Sequence, residues 1–499
     1  MRNIKKSPTF TQSERMLADL GDKVFLSLWS FANVYTDEGI KILADGTKKG
    51  QGEELCDLLV VFGDHVIIFS DKGEVEYKPT DDISVGWGRW VKHAFLKSAY
   101  STYKAEKWLK FHPERIYLDK ECSEKFPIAL PAPSKMKVHR IAVARGITEH
   151  AKKYYSDTSG TLIIRPDIIG AKHLDNPFVI GFADRKKGYV HFFDELSVDR
   201  VFKELDTLKD FTDYLTKKER LIESGMLAVA PGEDDLLGYY LSSREGFKNL
   251  DAPYFPVSGI EVGDKLSIYP GFYEGHLRTR EYREIIEIRR ISYFWDTCIE
   301  TMGSAAFTGR WYETNGANYD EEITVLKYMA AETRLARTVL SSAYSEIMIK
   351  PFPPEELLPR VRILSSPTNS KICYVFLIMQ NSLIMDSYEE YRKIRKNAII
   401  DYCYACKDLL PQFETIVGIA SDAINNIGAS EELIHLHTTE WTDVEFEEAR
   451  RLRQDVGLLK NITVPGNKKT ERRESPLSKQ RKMKRKINKS QKAARRKSR

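Results

Sequence analysis

The sequence predicts an α+β chain of several units, and three patterns carry that prediction. Apolar residues recur at helical spacing over residues 17–29, two apolar runs flank the pair Gly63-Asp64, and from Glu281 onward the pattern turns mainly helical. At 499 residues, two to four units are expected, each long enough to bury a core. Hydrophobic residues make up 42% and charged residues 30%, the balance of a soluble globular protein. The start, Met-Arg-Asn-Ile-Lys-Lys-Ser-Pro, has no apolar stretch of the kind a secretory signal needs. Ile372–Met379, the longest clean apolar run, is too short to span a bilayer. Six cysteines do not make a disulfide framework at this length, so a reducing cytoplasm is the expected setting.

The first element is a helix opened by Thr11, which precedes Glu14 at capping-box spacing. Leu17, Leu20, Val24, Phe25, Leu28 and Trp29 follow as its apolar face. Glu14 lies at the rim of that face, where it reads equally as a cap and as a ligand reaching toward a site. Residues 46–52 form a Gly/Lys-rich loop without the spacing of a phosphate-binding P-loop.

A hairpin comes next, and the rest of the chain is organised around it. Apolar runs at residues 58–62 and 66–69 are separated by two residues with Gly first, as a type II′ turn requires. That turn sets Phe62 opposite His65 and Asp57 opposite Ser70. Because side chains alternate faces, Asp57, Ser70 and Lys72 share one face while Asp71 points away from it. An acid, a hydroxyl and an amine are thereby expected at the open end of an apolar ribbon. A carboxylate there suits a hard divalent cation, and the lysine suits a phosphate or a water molecule.

This pattern resembles the PD-(D/E)XK nuclease superfamily, especially its nuclease-related (NERD-like) branch. In that family an Asp begins one strand of a hairpin, an acid-x-Lys ends the next, and a Glu comes from a preceding helix. Asp57 matches the Asp, Lys72 the Lys and Glu14 the helix acid, while Ser70 stands where the second acid belongs. Glu54, three residues before Asp57, is the other candidate for the missing oxygen, although simple alternation does not turn it toward the cluster. The resemblance covers roughly the first 150 residues. It implies a restriction-endonuclease-like α/β core over 1–155 and a Mg²⁺ or Mn²⁺ site built from Asp57 with Glu54 or Glu14. The implied function is metal-dependent hydrolysis of DNA or RNA. The alternative, prompted by Ser70, is a nucleic-acid-binding or scaffold protein that keeps the fold without the catalysis.

After the hairpin, residues 86–111 read as a helix whose aromatic residues alternate with Lys92, Lys97, Lys104, Lys107 and Lys110. These lysines are either a phosphate-tracking face or the solvated side of a core helix. Residues 115–119 and 137–146 have strand character, completing an α-β-β-α-β-β order.

Residues 156–280 are expected to be an α+β accessory unit. His191 sits in an aromatic strand without a nearby partner histidine, so a packed core residue is expected. Glu233, Asp234 and Asp235 precede an apolar run and read as a helix N-terminus rather than a metal site.

Residues 281–466 are expected to be mainly helical, interrupted by a strand at Ile372–Met379, with docking of a protein partner as a further reading of this half. Cys403 and Cys406 lack the second pair a zinc site would need and read as small buried residues on a helix.

Residues 467–499 form the last unit. Residues 468–499 hold sixteen Lys or Arg against two Glu, a balance of +14 in a chain of +5, which leaves −9 for residues 1–467. With few apolar residues, this tail is expected to be disordered alone and to bind a phosphate backbone without reading its sequence. Lys479, Arg481, Lys482, Lys484, Arg485, Lys486, Arg495, Arg496 and Lys497 are the expected nucleic-acid contacts.

Overall fold

A computed structural model describes residues 6–45, 48–156, 161–244, 252–257, 263–308, 323–353, 358–381, 387–423 and 430–460. The basic tail, with all nine of its expected contacts, lies outside the described residues. The chain is α+β, with mixed sheets covered by helices. No helix of the described residues is long and apolar enough to cross a membrane.

Helix α1 (Gln12–Phe25) begins as its sequence directs, with Thr11 Oγ1 accepting the Glu14 amide. It stops four residues short of the expected end because Leu26 turns to φ 64°, outside helical space. Leu28 and Trp29 therefore lead into a strand that the sequence pattern did not suggest, β1 (Ser30–Thr36). The hairpin strands β2 (Glu53–Phe62) and β3 (His65–Glu74) are antiparallel in the expected register, Leu58 opposite Phe69 through Phe62 opposite His65. Gly63 alone takes the positive φ, 57°, of the two turn residues.

The expected helix at 86–111 is α2 (Ile83–Val91) and α3 (Lys97–Phe111), joined through a wide π-helical turn at Lys92–Leu96. Strands β4 (Ile116–Tyr117) and β5 (Lys137–Arg145) follow, then α4 (Thr148–Tyr155). Beyond it, β6 (Ile163–Ile169) and β7 (Val179–Phe182) pair in parallel, and β8 (His191–Phe193) returns to the first sheet. The six-stranded sheet has the order β8-β5-β3-β2-β1-β4, with β8, β5 and β3 mutually parallel and the others antiparallel. A boundary at residue 155 thus cuts through this sheet, because β8 lies beyond it.

Helices occupy both faces. Leu58 on β2 meets Gly21 of α1, so a side chain at Gly21 would collide with Leu58 and Ser30. On this face α1 is joined by α5 (Glu195–Glu204) and α6 (Leu208–Glu223), whose Phe202 and Phe211 stack edge-on against Phe25. The opposite face of β3 and β5 carries α3. As expected, α7 (Glu233–Ser242) starts on its acidic triplet. Glu233 pairs with Lys218, Asp234 with Arg200 and Thr161, and Asp235 accepts the Gly271 and Tyr273 amides.

The C-terminal part is organised on a sheet of which only one strand was expected. Strands β9 (Arg360–Ser365), β10 (Ile372–Met379), β11 (Thr415–Asp422) and β12 (Glu431–His437) lie in that order, with β10 and β11 parallel and the outer pairs antiparallel. Every residue of β10 is buried, which is why it reads as a continuous apolar run. One face meets α11 (Tyr388–Leu409), numbered after α8 (Arg280–Arg289), α9 (Tyr293–Thr308) and α10 (Arg334–Met348). Cys403 and Cys406 are buried there as free thiols, and a side chain at Gly418 would strike Cys403 Sγ at 2.7 Å. Buried Arg334 ties this part to the first sheet's helices, bonding Asp206 at 2.8 Å and Asp296 at 2.7 Å.

Candidate functional site

The open end of the hairpin forms a cleft of about 110 Å³ lined by Glu54, Asp57, Ile68, Ser70 and Lys72, with Ser101 and Thr102 of α3 above them. Asp57, Ser70 and Lys72 thus share a face, as the register requires. Asp71 points to the other face, where it accepts from Ser13 Oγ at 2.5 Å and pairs with Arg145 at 3.1 Å.

Glu54 also lines this cleft, and a β-bulge accounts for it. Val34 of β1 pairs with Cys56 and the next residue, Tyr35, pairs with Glu54, so Leu55 is an extra residue in β2. One inserted residue reverses the alternation beyond it and re-aims the side chain. Glu54 lines the cleft with Asp57, and the strongest charge acting on it is Glu14 of α1. The signal for this lay in β1, which the sequence pattern did not disclose.

Charge accumulates along this edge. Desolvation and then repulsion from Glu54 push the Asp57 carboxyl up to about 7, against the Asp71 amide, which donates to Asp57 Oδ2 at 2.8 Å, and against Lys72. Glu54 as a residue is exposed, yet its carboxyl is crowded by protein. That desolvation, with repulsion from Glu14, raises it, while Lys72 and Lys120 oppose the rise. Desolvation also acts on Glu14, but hydrogen bonds from the Phe10 amide, Asn33 and Thr11 outweigh it and hold this carboxyl below its usual range. Glu14 is thus a cap that also acts electrostatically on Glu54. Its oxygens do not join those of Glu54 and Asp57 in a group of ligand atoms all within 4.8 Å of one another. Lys72 makes no ion pair among the described residues.

Of the α3 lysines, Lys97 and Lys104 lie one turn to either side of Ser101. Lys104 is engaged by Glu38 at 3.0 Å and Glu53 at 3.1 Å, whereas Lys97 is exposed beside the cleft.

A second cluster escaped the sequence reading. His191 is buried as expected, but it has partners. Its Nε2 lies 2.9 Å from Glu219 Oε1, and the same oxygen lies 2.8 Å from His139 Nδ1. His65 Nδ1 is 2.9 Å from His139 Nε2, with the two rings stacked. Desolvation, then the charge of Lys218, drives His191 down to about 3, and desolvation followed by His139 does the same to His65. Desolvation opposes ionisation of Glu219, but the two imidazole hydrogen bonds hold its carboxyl far below the usual range. No spacing rule finds this group, because its members come from four elements far apart in sequence.

No known protein family, curated protein or solved structure matches the chain.

Proposed function

We propose that the hairpin cleft is the centre of a divalent-cation-dependent phosphodiesterase acting on DNA or RNA, a nuclease of the PD-(D/E)XK type. The observation that carries this reading is that Glu54, beside the bulge at Leu55, lines the same cleft as Asp57 and Lys72. Ser70 leaves that strand position uncharged, and Glu54 supplies the oxygen from the neighbouring strand. The placements that the resemblance implies, an acid early in one strand, a lysine late in the next and an acid on the preceding helix, support the same reading.

The donors present fit a hard cation. Glu54, Asp57 and Ser70 offer only oxygen, and two carboxylates raised first by desolvation, then by Glu54 acting on Asp57 and Glu14 acting on Glu54, would be relieved by a positive ion between them. Bound there, Mg²⁺ or Mn²⁺ would supply Lewis acidity toward a phosphoryl oxygen and lower the pKa of water. Glu54 and Asp57 would hold the cation, with the Asp71 amide fixing Asp57 in orientation. Lys72 would place its ammonium against the negative charge that develops on the phosphoryl group. Lys97, and the tail beyond the described residues, would contribute sequence-independent attraction for the phosphate backbone.

The test is cleavage of single- and double-stranded DNA and RNA by the full chain in Mg²⁺ or Mn²⁺. Cleavage that stops in EDTA and falls in Asp57→Asn supports the reading. Absence of cleavage with every substrate, or equal cleavage by Asp57→Asn, overturns it. Nucleic-acid binding that survives EDTA without any cleavage would instead fit the non-catalytic reading that Ser70 favours. Deleting residues 468–499 should weaken binding and flatten its salt dependence in either case.

A further inference from the structure

At the other end of β3, and on the opposite face of the sheet, the His/Glu cluster has the chemistry of a different ion. We propose that His139, His191 and Glu219 form a site for a zinc-class divalent cation, with His65 holding His139 in the required tautomer. This proposal is independent of the hairpin cleft.

Donor set and geometry come first. Two imidazole nitrogens and one carboxylate oxygen lie within 4.8 Å of one another. Two nitrogens with one oxygen suit a borderline ion such as Zn²⁺ far better than Mg²⁺. Ligands at about 2.0 Å from a tetrahedral ion are roughly 3.3 Å apart, so the 2.8 and 2.9 Å contacts need to open by only about 0.4–0.5 Å. The three ligands are anchored on β5, β8 and α6, a rigid frame. Three protein ligands leave a fourth position, and Glu219, 19% exposed, is the most solvent-accessible of the three.

Charge comes second. The imidazoles of His139 and His191 hydrogen-bond to Glu219, while Lys218, whose charge also acts on Glu219, donates to Glu233. His139 and His191 are 1% and 0% exposed, so water does little to compensate the Glu219 charge from their side. A divalent cation coordinated by both rings would place a full positive charge directly against the Glu219 carboxylate.

The proton count is conserved, each ring carrying one proton with and without the metal. With the carboxylate ionised, His139 Nδ1–H and His191 Nε2–H donate to Glu219, and His65 Nδ1–H donates to His139 Nε2. On metal binding each ring keeps its single proton and moves it to the other nitrogen. His139 Nε2–H then donates to His65 Nδ1, reversing that hydrogen bond without breaking it. His191 exchanges its Nε2–H bond to Glu219 for the metal, and its proton moves to Nδ1, which has no partner among the described residues. His65 thus gives His139 the outer-shell acceptor that metal-bound histidines generally have.

The experiment is titration of the chelator-treated full chain with Co²⁺ and Zn²⁺, followed by visible absorption and by proton NMR of the cobalt form. The expected result is one equivalent of Co²⁺ with the intense bands of a tetrahedral site, displaced by Zn²⁺, and two paramagnetically shifted, exchangeable imidazole N–H signals. His191→Gln and Glu219→Gln should each weaken binding by at least about a hundredfold, and His65→Ala by roughly tenfold to a hundredfold. Absence of stoichiometric binding by the wild-type chain overturns the proposal, as does binding that persists in both ligand variants. Should a variant fail to fold, the wild-type NMR spectrum decides, because fewer than two imidazole signals also overturns it.

Discussion

The cleft at the open end of the hairpin and the histidine cluster near its turn share strand β3, yet they are built in opposite ways. The cleft offers oxygen donors and an amine under α3, beside exposed lysines. The cluster offers nitrogen donors and one carboxylate, largely buried against α6. Their electrostatics differ in sign. Crowded carboxylates in the cleft resist ionising, whereas buried imidazoles in the cluster resist protonation. Under the two proposals, one sheet presents a hard-cation site on one face and a borderline-cation site on the other. Burial and donor type, rather than fold, decide which.

The sharpest way to break this comparison is to remove one acid from each site. Asp57→Asn should lower cation-dependent cleavage by roughly a hundredfold or more, comparable to losing a main electrostatic contributor at an active site. The same substitution should leave the cobalt bands of the histidine cluster unchanged. Glu54→Gln is next, with an expected loss of about tenfold to a hundredfold in cleavage. A loss that large requires Glu54 to act on the same ion as Asp57. Ser70→Asp should strengthen Mg²⁺ binding, measured by the cation concentration at half-maximal rate. It should also lower the melting temperature in EDTA, because Ser70 is only 3% exposed and a third carboxylate would be crowded there.

Stability against pH sharpens the comparison with a smaller effect. In EDTA, the folded-state pKa of Asp57 lies above its unfolded value, so folding favours the protonated form. Asp57 then costs nothing near pH 3 and becomes progressively destabilising as pH rises from about 4 to about 7. Asp57→Asn should thus raise chemical-denaturation stability at pH 8, by about 1–3 kcal/mol, and leave it unchanged near pH 3. His65 and His191 have the opposite sign. Their folded values near 3 lie below the unfolded value, so stability is lost as pH falls from about 6.5 toward 3. His191→Gln should flatten that acid limb.

How much of this was legible in the sequence follows from the range of the interactions. The hairpin register was readable because a two-residue turn with Gly first fixes every pairing beyond it, and Asp57, Ser70 and Lys72 came with it. Glu54 stayed one of two candidates for the missing oxygen because the bulge beside it is a property of β2 against β1. The segment Ser30–Thr36 was hidden behind an apolar helical pattern that continues to Trp29, after the helix has already ended at Phe25. His191 was seen only as a core residue because its partners sit on β5 and α6. The second sheet left weaker signals. Ile372–Met379 stands out as a fully buried run, while Thr415–Asp422, interrupted by a Gly that admits α11, and the half-buried Glu431–His437 do not.

Binding of Mn²⁺ to Glu54→Gln, Asp57→Asn and the double variant, measured by electron paramagnetic resonance on the chelator-treated chain, tests the shared cleft most directly. Two carboxylates holding one ion act as a unit, so each single variant should lose nearly as much affinity as the pair. Wild-type affinity in Glu54→Gln, or losses that simply add, would mean that the bulge brings no second ligand to Asp57.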